Sequence, residues 1–241
     1  MTEALLYGLL AAAPLIAGGA VALRWSVPPR ALGLVMAFGA GVLIAAVAYE
    51  LALESFTTAP WSGAPAIGFF AGVATFFLGD LLIDRMGGAR RKPIGGAGGG
   101  VALAIVLGIV LDGIPESAVI GMTLLSGEVS AAVFVAVILS NLPEAFAATA
   151  GLRASGHRPG RIMALWVLVT AVSGLAALAG YVLLDGAGDN VVAFVLAFAG
   201  GAILTMLADT MMPEAFEKGG RLAGVITSLG FALAFLITTL E

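Results

Sequence analysis

Eight apolar stretches, each close to bilayer thickness and separated by short gaps, dominate this chain: about 4–23, 31–51, 64–83, 101–125, 131–150, 162–184, 191–209 and 222–240. A helix needs about 20 apolar residues to cross the hydrocarbon core of a membrane. Unpaired backbone N–H and C=O groups are too costly there for loose strands, so the stretches read as helices. Composition agrees. With 61% hydrophobic and 11% charged residues, against about 45–50% and about 25% in a soluble domain, the chain has too few charges to wet a globular surface. The expected fold class is all-α, a polytopic membrane protein of eight transmembrane helices, with residues 1–241 forming one domain and no room for a second, soluble one. No separate signal peptide is expected, because stretch 4–23 is long enough to span and lacks a basic lead-in. The absence of cysteine excludes a disulfide framework, a thiolate metal site and a cysteine nucleophile.

Charge placement orients the chain. Arg24 and Arg30 follow the first stretch, and Arg85, Arg90, Arg91 and Lys92 follow the third. Arg153, Arg158 and Arg161 follow the fifth, and Lys218 and Arg221 the seventh. These are all eleven Lys and Arg residues, and each falls in an odd-numbered loop. The even loops carry only acids: Glu54, Glu128, Asp185 and Asp189. By the positive-inside rule the odd loops are cytoplasmic and both termini lie outside. The widest gap, 84–100, holds Arg90, Arg91 and Lys92 and then a glycine run, and reads as a flexible basic cytoplasmic loop. No strand precedes those glycines, so they are no phosphate-binding fingerprint.

An internal echo is visible. Phe38-Gly39-Ala40-Gly41-Val42-Leu43-Ile44 in the second stretch parallels Phe198-Ala199-Gly200-Gly201-Ala202-Ile203-Leu204 in the seventh, and Glu54 parallels Glu214, all at an offset of 160 residues. The two stretches run in opposite directions, so an inverted repeat is expected, helices 1–3 matching helices 6–8 around helices 4 and 5, as in many transporters.

Acids inside membrane spans cost a few kcal/mol each and mark function by default. The informative ones lie in Leu111-Asp112-Gly113-Ile114-Pro115-Glu116-Ser117 and in Leu139-Ser140-Asn141-Leu142-Pro143-Glu144-Ala145. Asp112 and Glu116 share a helix face at i, i+4, as do Ser140 and Glu144, with Asn141 close by. Pro115 and Pro143 lack the N–H that would bind the carbonyls of Leu111 and Leu139, so two kinks are expected, each freeing an oxygen beside the carboxylates. Two such motifs facing each other near the midplane would make an oxygen-rich cage for a cation. The metal-ligand set expected is Asp112, Glu116, Ser140, Asn141 and Glu144.

These two motifs resemble those of the ZIP (Zrt/Irt-like) metal transporters, commonly His-Asn-x-Pro-Glu-Gly in one helix and x-Asn-x-Pro-Glu-Gly or His-x-x-Pro-His-Glu in the next. Residues 37–54, Gly79-Asp80-Leu81-Leu82-Ile83-Asp84 and residues 200–217 are also similar to family segments. The resemblance spans essentially the whole chain. It implies a monomeric or homodimeric bundle that moves divalent cations, zinc, manganese or iron(II), toward the cytoplasm by sliding one group of helices past another. The departures bear on the ion. Asp112 and Gly113 stand where the family has His and Asn, and Ser140 stands where His or Gln is common. Aligned on Gly180-Tyr181, Ser173 and Gly174 replace a Glu-Pro pair. A site without imidazole is hard and suits Mn, Mg, Ca or Fe(II) better than Zn, although carboxylates do bind zinc.

Other acids mark a candidate path. Glu50 and Glu54 form a candidate entrance at the outer end of the second helix, and Asp80, Asp209 and Glu214 a candidate exit at the inner ends of the third and seventh. Asp84 beside Arg85 reads as a surface ion pair. Met206, Met211 and Met212 read as packing. His157, alone among Arg153, Arg158 and Arg161, reads as a solvated loop residue. Trp25, Trp61 and Trp166 lie near helix ends, where interfacial anchors sit. The function expected is transport of divalent metal cations by alternating access, with the cation as substrate and no prosthetic cofactor. The alternative is a ZIP-fold membrane protein that senses an ion or moves protons or another solute. Catalysis is not expected: no HExxH or GxSxG motif stands in a suitable place and no histidine lies in a span. The lipid bilayer and metal ions are the expected partners, with no nucleic acid. The expected location is a prokaryotic cell membrane.

Overall fold

The computed structural model describes residues 1–85, 99–127 and 129–240. Among these there is no strand, and the chain forms α1 (Thr2–Arg24), α2 (Pro29–Thr58), α3 (Ala64–Arg85), α4 (Gly99–Thr123), α5 (Ala131–Ala154), α6 (Pro159–Leu184), α7 (Asp189–Gly219) and α8 (Leu222–Thr238). Seven are long and apolar enough to cross a bilayer, the mark of a multi-pass membrane protein. The eighth, α8, is equally apolar but has 17 residues, or about 25 Å at the α-helical rise. Most of the expected 84–100 loop, with Arg90, Arg91 and Lys92, lies outside the described residues, as does Glu128.

The helices outrun the apolar stretches. The second continues to Thr58 and the seventh to Gly219, because Glu54, Glu214 and Lys218 end an apolar window without ending a helix. Both leave α-helical register: Val47–Leu53 in α2 and Leu207–Met211 in α7 wind as π-helix. The two segments begin 160 residues apart, the same offset that aligns the two sequences. By contrast, α4 and α5 remain α-helical through Pro115 and Pro143. The Leu139 carbonyl that Pro143 deprives of a donor lies against α2, 3.3 Å from where a Cβ on Gly39 would stand.

Glycine sets how closely the rods approach. A Cβ at Gly41 would collide with the Thr227 carbonyl oxygen of α8, and one at Gly230 with that of Phe38. In the other half, Gly201 abuts the Phe69 carbonyl of α3, and Gly72 that of Phe198. Small residues drive helix packing in lipid because backbones can touch. Thus α2 lies along α8, and α3 along α7. The remaining helices form a second group: α1 packs on α5 and α6, and α4 on α6, with Gly121 and Gly180 meeting the Ala177 and Ala118 carbonyls. Where the groups meet, Gly79 touches the Leu111 side chain and Gly39 lies against the Leu139 carbonyl.

Trp166 departs from its expected place. It is fully buried, seated over Gly19 of α1, and its indole N–H donates to Thr149 Oγ1 at 2.9 Å. Trp25 and Trp61 are 65% and 91% exposed, as interfacial anchors are.

Candidate functional site

Helices α4 and α5 bring the two Pro-Glu motifs together. Glu116 is buried, and Ser140, fully buried on α5, places its hydroxyl 3.1 Å from Glu116 Oε2 and 3.3 Å from Oε1. The same hydroxyl lies 3.1 Å from the Val137 carbonyl. One O–H donates one hydrogen, so the carboxylate and that carbonyl compete for it. Asn141 is buried, but its amide turns to α1, where Nδ2 donates to the Ala11 carbonyl at 3.0 Å. A hydroxyl from α6 reaches the next carbonyl, Thr170 Oγ1 donating to Ala12 at 3.3 Å. Both acceptors lie within the turn containing Pro14. Two of the expected ligands therefore already hold structural bonds: Ser140 to Glu116, and Asn141 to the backbone of α1.

Asp112 and Glu144 face a different space. Both are half-buried and line a cavity of about 560 Å³ between α4, α5, α2 and α7. Its rim includes Val27, Pro29 and Ala154, at the end of the molecule that carries the basic loops. From α7 come Asp209, Thr210 and Glu214. The π-helical segment Leu207–Met211 delivers the first two of these. Asp112, Glu116 and Glu214 all lie within electrostatic reach of Glu144. Glu214 forms an ion pair with Lys218 one turn on.

The expected exit is thus joined to the expected core site through Asp209 and Glu214, while Asp80 lies outside this cavity. The five expected ligands do not close into a cage. Among the described residues no three His, Asp or Glu side chains converge closely enough to hold one metal ion. The carboxylates instead form a string, running from Glu116 behind the cavity to Asp112 and Glu144 on its wall and on to Glu214. At the opposite end, Glu50 accepts a hydrogen bond from Thr238 Oγ1 of α8 at 3.0 Å, whereas Glu54 is exposed. Tyr49 beside it lies against Phe231 and Phe235, with ring centroids 6.2 and 5.3 Å away. Of the two expected entrance residues, α8 therefore covers Glu50 and leaves Glu54 at the surface.

Ser173, at the position aligned with a lost carboxylate ligand, is buried, its hydroxyl 3.9 Å from where a Cβ on Gly113 would stand. Thr210 was not among the expected residues. Its hydroxyl oxygen is buried without a hydrogen-bond partner in the structure, and its only sequence cue is adjacency to Asp209. The chain matches no protein-family model, and no curated protein is significantly similar to it in sequence.

Proposed function

We propose that this chain carries divalent cations across a membrane toward the side of its basic loops, by alternating access. The observation that carries the reading is the cavity that joins Asp112 and Glu144 on the α4–α5 wall to Asp209 and Glu214 on α7. In an apolar bundle such acids are expensive, and they face a water-filled path when they conduct ions. The resemblance of residues 112–117 and 140–145 to the ZIP transporter motifs supports the same reading. In this assignment the structure is the inward-facing conformation: Glu116 and Ser140 close the path on one side, and the cavity opens on the other.

Two features support an inverted repeat and a sliding mechanism. The π-helical segments and the glycine contacts recur across the halves: Gly41 on Thr227 mirrors Gly201 on Phe69, and Gly230 on Phe38 mirrors Gly72 on Phe198. The glycine seats that admit no Cβ lie within the group α2, α3, α7, α8 or within α1, α4, α5, α6, whereas between the groups Gly79 meets the Leu111 side chain and Gly39 meets the Leu139 carbonyl at a looser 3.3 Å. Transporters of this kind rock or slide one such body against the other around a fixed site. Both termini then lie outside the cell, because the basic loops are cytoplasmic.

Purified protein in proteoliposomes tests this directly. Wild type is expected to take up a divalent cation, and Glu116→Ala and Glu144→Ala each to abolish uptake. Wild-type rates in both variants would overturn the site. A second reading is favoured by the lack of a gathered carboxylate trio among the described residues: a ZIP-like bundle that senses an ion or passes protons or another solute. A cation bound by the native state must stabilise it by mass action. Thermal unfolding unaffected by Zn, Mn, Fe(II), Co, Cd, Mg and Ca would favour this second reading.

A further inference from the structure

We propose that the basic-loop end of α1, α5 and α6 binds the headgroup of an anionic phospholipid. Leu23 packs against a buried cluster containing Leu152 and Ile162. Each of these residues has an arginine as its chain neighbour, so one apolar plug gathers Arg24, Arg153 and Arg161 around it. All three are exposed. Arg153 also donates from Nη1 to the Leu23 carbonyl at 3.1 Å, which ties the end of α5 to the end of α1. Arg158 precedes α6 in the same loop. Segments 24–30 and 153–161 contain no Asp or Glu.

Arginines gathered at one end of the bundle, with no acid in their own segments, repel one another, and an anion relieves that repulsion. The cluster sits where the apolar helices α1, α5 and α6 begin or end, next in sequence to the exposed Trp25, and helix ends with such anchors are where lipid headgroups lie. Guanidinium forks match phosphate oxygens in a two-pronged geometry that ammonium cannot reproduce. The 26-residue α6 begins there with no side-chain cap and with open space around Gly160, so its amide groups add to the attraction. The shared chemistry is a phosphate ester. The lipid is the source because the cluster lies at the membrane boundary, and a headgroup without its own ammonium is preferred.

Native mass spectrometry and thermal unfolding of the detergent-solubilised protein test this with three probes: phosphatidylglycerol, phosphatidylcholine and inorganic phosphate. Phosphatidylglycerol is expected to bind at least about tenfold more tightly than phosphatidylcholine, since each cation near an anionic lipid contributes about 1 kcal/mol. Arg24→Gln with Arg161→Gln is expected to remove that preference, Arg24→Lys with Arg161→Lys to keep part of it, and Arg221→Gln in a different loop to keep it whole. Equal binding of the two lipids by wild type would overturn the proposal without any variant. So would a wild-type preference in the Gln pair, or protection by inorganic phosphate equal to that by phosphatidylglycerol.

Discussion

The Ser140 hydroxyl stands 3.1 Å from Glu116 Oε2, with both side chains shut away from solvent. A buried carboxylate stripped of its donor bears the cost of its own desolvation, about 1–3 kcal/mol or more for a charged group. Ser140→Ala is therefore expected to lower thermal stability by that order. Unchanged unfolding of Ser140→Ala in nanodiscs would show that the contact contributes nothing.

The glycine seats give a paired test. Gly41→Ala and Gly201→Ala each drive a methyl group into a carbonyl of a neighbouring helix. Both are expected to destabilise by about 1–3 kcal/mol, the usual range for overpacking. Gly160→Ala, with open space around it, is expected to leave stability unchanged. Thermal unfolding by light scattering compares the three. A large difference between the first two would argue against equivalent halves.

Tryptophan fluorescence distinguishes the buried indole from the two exposed ones. With Trp25 and Trp61 replaced by Phe, Trp166 is expected to emit at short wavelength and resist a water-soluble quencher, because it is fully buried and hydrogen-bonded to Thr149. Ready quenching would place it at the surface instead.

The lack of native cysteine makes single-cysteine labelling clean. Ala147→Cys, on the cavity wall, is expected to react with an impermeant maleimide from the basic-loop side alone. Ser62→Cys, exposed between α2 and α3, is expected to react from the opposite side alone. Labelling of both from one side in oriented vesicles would contradict the assigned topology.

Much of this was legible in the sequence, for reasons particular residues make plain. Eight rods follow from apolar length, and the confinement of Arg and Lys to alternate gaps agrees with that count. The proximity of Glu116 to Ser140 was readable because both belong to Pro-Glu motifs on consecutive helices. The π-helical segments were not readable, since hydropathy records which residues face lipid and not whether a carbonyl bonds four or five residues on. Trp166 lies near a helix start and looked interfacial. Its burial depends on the empty seat at Gly19, far away in the chain. The Pro motifs lie inside helices that stay α-helical through them, and the Leu139 carbonyl faces Gly39 of α2, a contact that no local pattern encodes. Asn141 found its partner in the Ala11 carbonyl, a contact that no local pattern encodes.

The most direct measurement is initial-rate uptake by proteoliposomes across a panel of Zn, Mn, Fe(II), Co, Cd, Mg and Ca, with wild type beside Asp112→His. Oxygen ligands favour harder cations and imidazole favours zinc. Wild type is expected to take up at least one of these ions, with Mn or Fe(II) ahead of Zn, and Asp112→His is expected to move the preference toward Zn. No uptake of any cation by well-folded wild-type protein would contradict the proposed function.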